Sequence, residues 1–299
     1  MLSQKITIFT GSGASYGCGL VTPYNPPLGK DLYSRLESYA PQIMSQVSVI
    51  VGRNNIDNFE MKMHEMMQSK KINAAILNSM IATYFSQFSP GIYGNSYIEL
   101  FRTLNIRNIN FVYSTLNYDC IAELAASSVG MQVNYNLDTI PSNQFDVLKL
   151  HGSCNFLLSG ITGPLGGISM GIGGAMIDGP IEVVQPTQIP AIIQNRPAGP
   201  CMSFYMKDKP TPVGASTIKV IQQRWENRIL ESDKIIIIGA NVNKEDHHIW
   251  DPISKTKAKI GFVGSISAYS SLTSLNSSIN ATHISTNFIS SVSSISQFI

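Results

Sequence analysis

The run Ile235-Ile236-Ile237-Ile238-Gly239 leaves this chain few ways to fold. It is apolar at every position, so the strand it forms must be covered on both faces and belongs in the middle of a sheet. Segments of similar character recur at Lys5-Ile6-Thr7-Ile8-Phe9, Asn110-Phe111-Val112-Tyr113-Ser114 and Asp146 to Leu150. A short strand at Met131 to Tyr135 and a last one at Ala258 to Val263 complete the set. Between them the apolar spacing turns helical. Thr217 to Leu230 carries Ile218, Ile221, Trp225 and Ile229, and Ile121, Leu124 and Ala125 mark a helix after Asp119. Strands alternating with helices predict an α/β domain built on a mainly parallel sheet.

The first two strands are far apart in sequence. A proline-stiffened loop, Val21 to Gly29, leads to a helix that begins near Lys30 and stops before Pro41. Residues 42–105 read as helical throughout, with Met61, Met63, Met66 and Met67 followed by Ile72, Ile76, Leu77, Met80 and Ile81, and form a helical insertion. Methionines in such a stripe serve as adaptable core. Residues 159–200 are crowded with glycine and proline and hold too little large apolar surface for a core. They read as a surface loop system, a lid or a contact surface. From Ile260 to Ile299 there is no Asp, Glu, Lys or Arg. Leu272, Leu275 and Ile279, then Ile284, Phe288, Val292, Ile295 and Phe298, fall at helical spacing. They predict two short helices over 265–299, with an uncharged face packed on the domain or on another subunit. Residues 1–299 are thus read as a single domain.

Charge and cysteine usage narrow the setting. With 21 basic and 19 acidic residues the net charge is +2, and Lys70-Lys71 and the other basic residues form no run. No field steers the chain to nucleic acid, and no direct nucleic-acid binding is expected. Cys18, Cys120, Cys154 and Cys201 stand far apart with no Cys-x-x-Cys, which gives neither a zinc ribbon nor a disulfide framework. There is no basic n-region or cleavage site at the start and no apolar run of the ~20 residues a membrane span needs. A reduced, cytoplasmic protein that does not enter a membrane is expected.

Polar motifs sit where the strands end. Phe9 runs into Thr10-Gly11-Ser12-Gly13-Ala14-Ser15, Ser114 into Thr115-Leu116-Asn117-Tyr118-Asp119, Leu150 into His151-Gly152, and Ile238 into Gly239-Ala240-Asn241. In an open parallel sheet the carboxyl ends share one edge, so residues distant in sequence can meet around one ligand there. Gly11 and Gly13 allow a sharp turn and a close approach of backbone to a ligand, and a turn that opens a helix attracts phosphate. A Gly-Ser-Gly turn also ends many strands that bind nothing. Tyr16 stands where a dinucleotide fingerprint needs its third glycine, so the fold is Rossmann-like without being that of a plain dehydrogenase.

Gly-x-Gly-x-Ser, x-Asn-x-Asp, His-Gly and a strand ending in Gly-x-Asn, in this order from about Lys5 to Val263, resemble the motif series of sirtuins. The resemblance implies that Gly11, Ser12, Gly13 and Ser15 bind the phosphates and ribose of NAD. It places Asn117 and Asp119 near the nicotinamide ribose, makes His151 the catalytic histidine, and has Gly239 and Asn241 hold the adenosine half. Protein-deacylating sirtuins also carry Asp-Phe-Arg soon after the glycine turn and a four-cysteine zinc module after His-Gly. This chain has Pro26-Pro27-Leu28-Gly29-Lys30-Asp31-Leu32 and a glycine-rich segment in those places, so no zinc module and no metal are expected. The pattern looks like the sirtuin-like NADases of bacterial anti-phage systems, some of which work with a DNA-translocating ATPase or a nucleic-acid-guided effector. NAD is then substrate rather than cofactor.

The residues suit that chemistry. Nicotinamide in NAD is already a cationic leaving group, so cleavage needs a stabilised oxocarbenium-like sugar, a placed water and a base. With a reference pKa of ~6.5, His151 fits the base, and the Asn117 amide can orient water or a ribose hydroxyl. Asp119 either joins the ribose site or caps the helix that starts there. A histidine at a strand end is on its own more often structural, and only the companion motifs favour a catalytic role for His151. Glu245-Asp246-His247-His248 has the composition of a metal cluster but reads as a helix N-terminus with acids in its first turn.

The leading expectation is NAD hydrolysis to nicotinamide and ADP-ribose in anti-phage defence. A non-catalytic NAD or ADP-ribose sensor is the main rival, and a sirtuin-type deacylase or ADP-ribosyltransferase the third reading. The weakly polar tail and glycine-rich segment point to a homo-oligomer. The toxicity of an unregulated NADase points to a partner protein such as a DNA-translocating ATPase.

Overall fold

The computed structural model describes residues 4–51, 74–135, 145–160, 168–171, 174–196, 198–203, 211–243 and 246–299. The chain opens with β1 (Ile6–Thr10), the short α1 (Ser12–Tyr16) and β2 (Gly19–Thr22). Then come α2 (Gly29–Tyr39), α3 (Pro41–Val51), α4 (Ala74–Ser86), β3 (Ser89–Asn95) and α5 (Ser96–Ile106). The next stretch holds β4 (Phe111–Thr115), α6 (Ile121–Ser128), β5 (Val133–Asn134) and β6 (Phe145–Lys149). Four short strands follow: β7 (Phe156–Leu158), β8 (Ile168–Gly171), β9 (Gly174–Ile177) and β10 (Ile181–Val183). A single helical turn, α7 (Ile189–Ile192), precedes α8 (Ala215–Glu231), β11 (Lys234–Ile238), α9 (His247–Lys255) and β12 (Lys259–Val263). The chain closes with α10 (Ile266–Thr273), β13 (Ala281–Ser285) and α11 (Val292–Phe298).

Seven strands form one sheet in the order β13-β12-β11-β1-β4-β6-β5. Every neighbouring pair in it is parallel. The polyisoleucine strand lies beside β1, with Ile236 opposite Ile8 and Ile238 opposite Thr10. From β1 the chain builds outward through β4, then adds β11, β12 and β13 on the other side. The connections therefore diverge between β1 and β11, and the crevice of such a sheet opens at that point on its carboxyl edge.

Alternation along the strands divides the core between the two faces. Ile8, Tyr113, Val147, Ile236 and Ile238 pack with Tyr97 and Phe101 of α5 and Ile121 and Ala125 of α6. Phe9, Leu148, Ile235, Ile237 and Phe262 pack with Ile218, Trp225 and Ile229 of α8 and with Trp250 and Ile253 of α9. The indole of Trp225, fully buried, donates to Ser114 Oγ at 3.0 Å, and that hydroxyl donates to the Ile8 carbonyl at 3.1 Å. A polar atom in the core is thus satisfied while it ties α8 to two strands.

Three expectations need correction. Residues 42–105 are not helical throughout. Ser89–Asn95 forms β3, antiparallel to β2, because Pro90, Gly91 and Gly94 oppose a helix there. The Met61–Met67 stripe lies outside the described residues. Ala258 to Val263 does not supply the last strand, since Ala281–Ser285 adds β13 at the sheet edge, parallel to β12. Ile284, assigned by spacing to a helix, sits on that strand, where the β-branched Thr282 and Ile284 suit the pleat. The two short helices of the tail are α10 and α11, and Leu272, Phe288 and Ile295 are buried against this same chain. Among the described residues of the glycine-rich segment, β8 pairs with β9 and β10 pairs with β7, both antiparallel.

Candidate active site

Backbone pairing continues past the strand ends and sets the loops side by side. Gly11 N–H donates to Ile238 O at 3.0 Å, Leu116 N–H to Thr10 O at 3.0 Å and Leu150 N–H to Thr115 O at 3.0 Å. Gly13 N–H donates to Gly239 O at 2.9 Å, which joins the β1 turn to the β11 turn. A Cβ at Gly13 would lie 2.8 Å from that oxygen. At Gly239, whose φ is +61°, it would lie 2.1 Å from Ala14 N. These glycines therefore answer to the approach of two backbones. The room beside Gly13 that the sequence assigns to a ligand is filled by Gly239, and the N–H groups of Gly11 and Gly13 are engaged within the protein. Gly239→Ala should cost at least about 1–3 kcal/mol for the left-handed φ alone, with the loop displacement added. A lowered urea midpoint checks this, and an unchanged one contradicts it.

Asn117 is buried at the end of β4. Its backbone N–H donates to Thr115 Oγ1 at 3.0 Å, which turns the chain under the strand. Its Nδ2 donates to the Gly11 carbonyl at 3.1 Å and to Ser15 Oγ at 2.9 Å. A carbonyl can only accept, so Gly11 fixes which way the amide points. Both amide protons are spent on the protein, and Oδ1 is the atom that no hydrogen bond engages among the described residues. Ser15 passes the chain on, donating to Asp119 Oδ1 at 3.2 Å. The same oxygen accepts from Ile121 N–H at 3.1 Å. Asp119 thus receives the first N–H of α6 from one position before the N-cap residue Cys120, and is joined to Ser15 as well. Burial pushes the Asp119 carboxyl above its ordinary value, with the Lys149 ammonium partly opposing.

Lys149 holds this loop to the next one. Its Nζ donates to Asp119 O at 2.6 Å and lies 2.8 Å from Glu123 Oε1, with side chains 0% and 5% exposed. Burial alone would lower an ammonium's pKa. The Glu123 carboxylate foremost outweighs it, so Lys149 stays charged. Cys154 N–H donates to Tyr118 O at 3.0 Å, and Ser153 Oγ reaches the same carbonyl. The Asn117–Asp119 turn and the His151–Cys154 turn are thus one rigid unit.

His151, only 4% exposed, ends β6. Its carbonyl accepts from Ser203 N–H at 2.8 Å, and the preceding Leu150 carbonyl accepts from Gln222 Nε2 at 2.9 Å. Gly152 has φ +79°, and a Cβ there would meet the Cys201 carbonyl at 2.0 Å, so the His-Gly pair is a backbone requirement. His151 Nε2 lies 3.2 Å from His248 Nε2. The structure therefore links Gly11, Ser15, Asn117 and Asp119 directly, places Gly13 against Gly239, and brings His151 in on the neighbouring strand end. Ser12 and Asn241 are exposed and make no side-chain hydrogen bond among the described residues. Lys149, Glu123 and His248 were not foreseen. A lysine inside an apolar strand was the available signal for the first. The run does open α9, but Asp246 is its N-cap residue, the first turn of the helix itself holds no acid, and Glu245 lies outside the described residues. Among the described residues no three or more His, Cys, Asp or Glu side chains converge as a metal site would require.

No protein-family model matches the sequence, and no curated protein matches it either. Solved structures do. A point mutant of a Sir2 homologue in complex with ADP-ribose is 14% identical, with a TM-score of 0.51, covering 99% of this chain and 92% of that one. A Sir2 homologue–NAD complex is 12% identical, with a TM-score of 0.41 and coverage of 99% and 88%. The fold is sirtuin-like. No helix among the described residues is long and apolar enough to cross a membrane.

Proposed function

We propose that this chain, acting over residues 1–299 as one catalytic unit, hydrolyses NAD to nicotinamide and ADP-ribose. The observation that carries the reading is the pair of groups at neighbouring strand ends beside the switch point. Asn117 has both amide protons tied down and its oxygen directed elsewhere, and His151 is a buried imidazole on a rigid turn. The likeness to a Sir2 homologue held with ADP-ribose supports the nucleotide as ligand. An acceptor oxygen at Asn117 orients a water or a ribose hydroxyl. As the nicotinamide–ribose bond breaks, its electron pair leaves with nicotinamide, which becomes neutral. The water oxygen bonds to the ribose carbon, and its proton passes to His151. Ser12 and Asn241, exposed at the strand-end turns, face the approach of the dinucleotide, while Gly11, Gly13 and Gly239 bring those turns together and Asp119 holds Ser15.

The four cysteines are all buried, and Cys120 and Cys154 have their Sγ atoms 3.7 Å apart. Cys18 sits by Asn95 and Cys201 by Gly214, so the thiols are spread through the core rather than gathered for a four-thiolate module. Lysine deacylation is the second reading that the same fold allows. Purified protein incubated with NAD, with nicotinamide followed by chromatography, tests the choice. Release without any peptide supports hydrolysis, and release that requires an acylated peptide supports deacylation. Action as an NAD-depleting effector in anti-phage defence, a location in the cytoplasm and a partner such as a DNA-translocating ATPase follow from the motif resemblance and belong to the same proposal. Self-association belongs to it too, and a monomer by light scattering at micromolar concentration counts against that part.

A further inference from the structure

We infer that His248 is a positioning residue for His151, the two rings holding one proton between their Nε2 atoms. The inference rests on the reading of His151 as the base and identifies what tunes it. The nitrogens are 3.2 Å apart, with ring centroids 5.4 Å apart and planes tilted by 53°. Two lone pairs at that separation repel, so one ring donates Nε2–H and the other accepts. The contact therefore ties the two tautomers together, the donor ring carrying its proton on Nε2 and the acceptor ring on Nδ1. With His151 as the donor, its Nδ1 takes the proton from the attacking water, and the Nε2–H it already carries is donated to a neutral His248. A hydrogen bond to the charged form favours it, so His248 makes His151 the stronger base. A second proton would set two like charges in contact, and the pair resists it. Its titration belongs to both rings together.

Neither ring is loosely held. His248 is half-buried in the first turn of α9, whose Ile249, Trp250 and Ile253 are buried in the core. The His151 side chain is buried, and its backbone is fixed by Ser203 N–H at its own carbonyl and by Gln222 Nε2 at the preceding Leu150 carbonyl. Other ionisable groups stand on the described elements around the pair. On α9 itself, Asp246 is buried at the N-cap, while exposed His247 and Asp251 face each other at 3.5 Å. On α8 there are Lys219, Arg224, Glu226, Arg228 and Glu231. On the strand-end loops, Lys149 is committed to Glu123 and the Asp119 carbonyl. Burial pushes the Cys201 thiol well up, so it stays neutral.

The test joins imidazole nitrogen NMR of the full chain with the pH profile of nicotinamide release, for the parent and His248→Gln. The two rings are assigned by the signals lost in His151→Ala and His248→Gln. The parent pair should take up one proton between pH 8 and 5 where independent imidazoles would take two. His248→Gln should keep the parent's melting temperature and NAD affinity. Its rate should fall about ten-fold, and the acid limb of kcat/KM should move to lower pH by on the order of one unit, as the weaker base requires. Independent titration of the two rings, or a variant with the parent's rate and profile, overturns the inference. So does a variant that is faster at every pH, since His248 would then restrain His151. If the parent binds NAD yet releases no nicotinamide, the hydrolase reading fails, while the one-proton titration still decides whether the pair exists.

Discussion

Lys149→Met is expected to destabilise the protein by about 3–5 kcal/mol, because it strands a buried carboxylate. Glu123 is 5% exposed on its side chain, and Lys149 Nζ is the charge opposite it at 2.8 Å. The Asp119 carbonyl loses its 2.6 Å donor in the same step. A second variant separates this cause from simple loss of packing. Replacing both members, Lys149→Met with Glu123→Leu, removes the charges together and should recover most of the loss, since desolvated pairs contribute little net stability over apolar residues of similar size. Guanidinium unfolding of the single and double variants measures both effects. A single variant within about 1 kcal/mol of the parent, inside the range of an ordinary substitution, would show that Glu123 finds another way to be satisfied. The loss should reach activity as well, because Lys149 joins the Asn117 turn to the His151 turn.

The largest effect on rate should come from His151→Ala. General-base assistance is typically worth ~10²–10⁴-fold, or roughly 3–5 kcal/mol of barrier. The side chain acts in the transition state, so NAD affinity should stay near the parent's. Asn117→Ala should lose rate on the same scale, but with a structural cost that His151→Ala does not carry. Its Nδ2 is a donor to Gly11 O and Ser15 Oγ, and leaving buried acceptors unpaired costs about 1–3 kcal/mol. Rates should therefore be compared well below the variants' melting temperatures. If the two groups serve one proton transfer, the double variant should be little slower than either single one. Either variant turning over NAD at the parent's rate removes that residue from the mechanism.

What the chain disclosed in advance follows from the range of each signal. Ile235 to Ile238 announces a strand covered on both faces, and the structure puts it beside β1 with helices on either side. Asn117 and His151 were legible because each follows an apolar strand directly, and a parallel sheet gathers all such ends on one edge. Gly13 was legible as a glycine but not for its reason. Its neighbour is Gly239, more than two hundred positions away, and no local pattern reports that contact. The pairing of Lys149 with Glu123 was hidden in the same way, since a lysine inside an apolar strand calls for a buried partner without naming it. Ala281–Ser285 was missed because its apolar residues sit at spacings that suit a helix as well as a strand, and only the open edge of β12 decides between them. His248 lay within a run that spoke more strongly for a helix start than for a site.

The proposed reaction is cleavage of NAD to nicotinamide and ADP-ribose. The most direct measurement is the time course of nicotinamide and ADP-ribose formation by the purified full chain given NAD alone, beside the His151→Ala variant. The account predicts the two products in equal amounts from the parent and a rate at least about a hundred-fold lower from the variant. NAD bound by the parent and recovered intact, or cleaved equally fast by parent and variant, would contradict it.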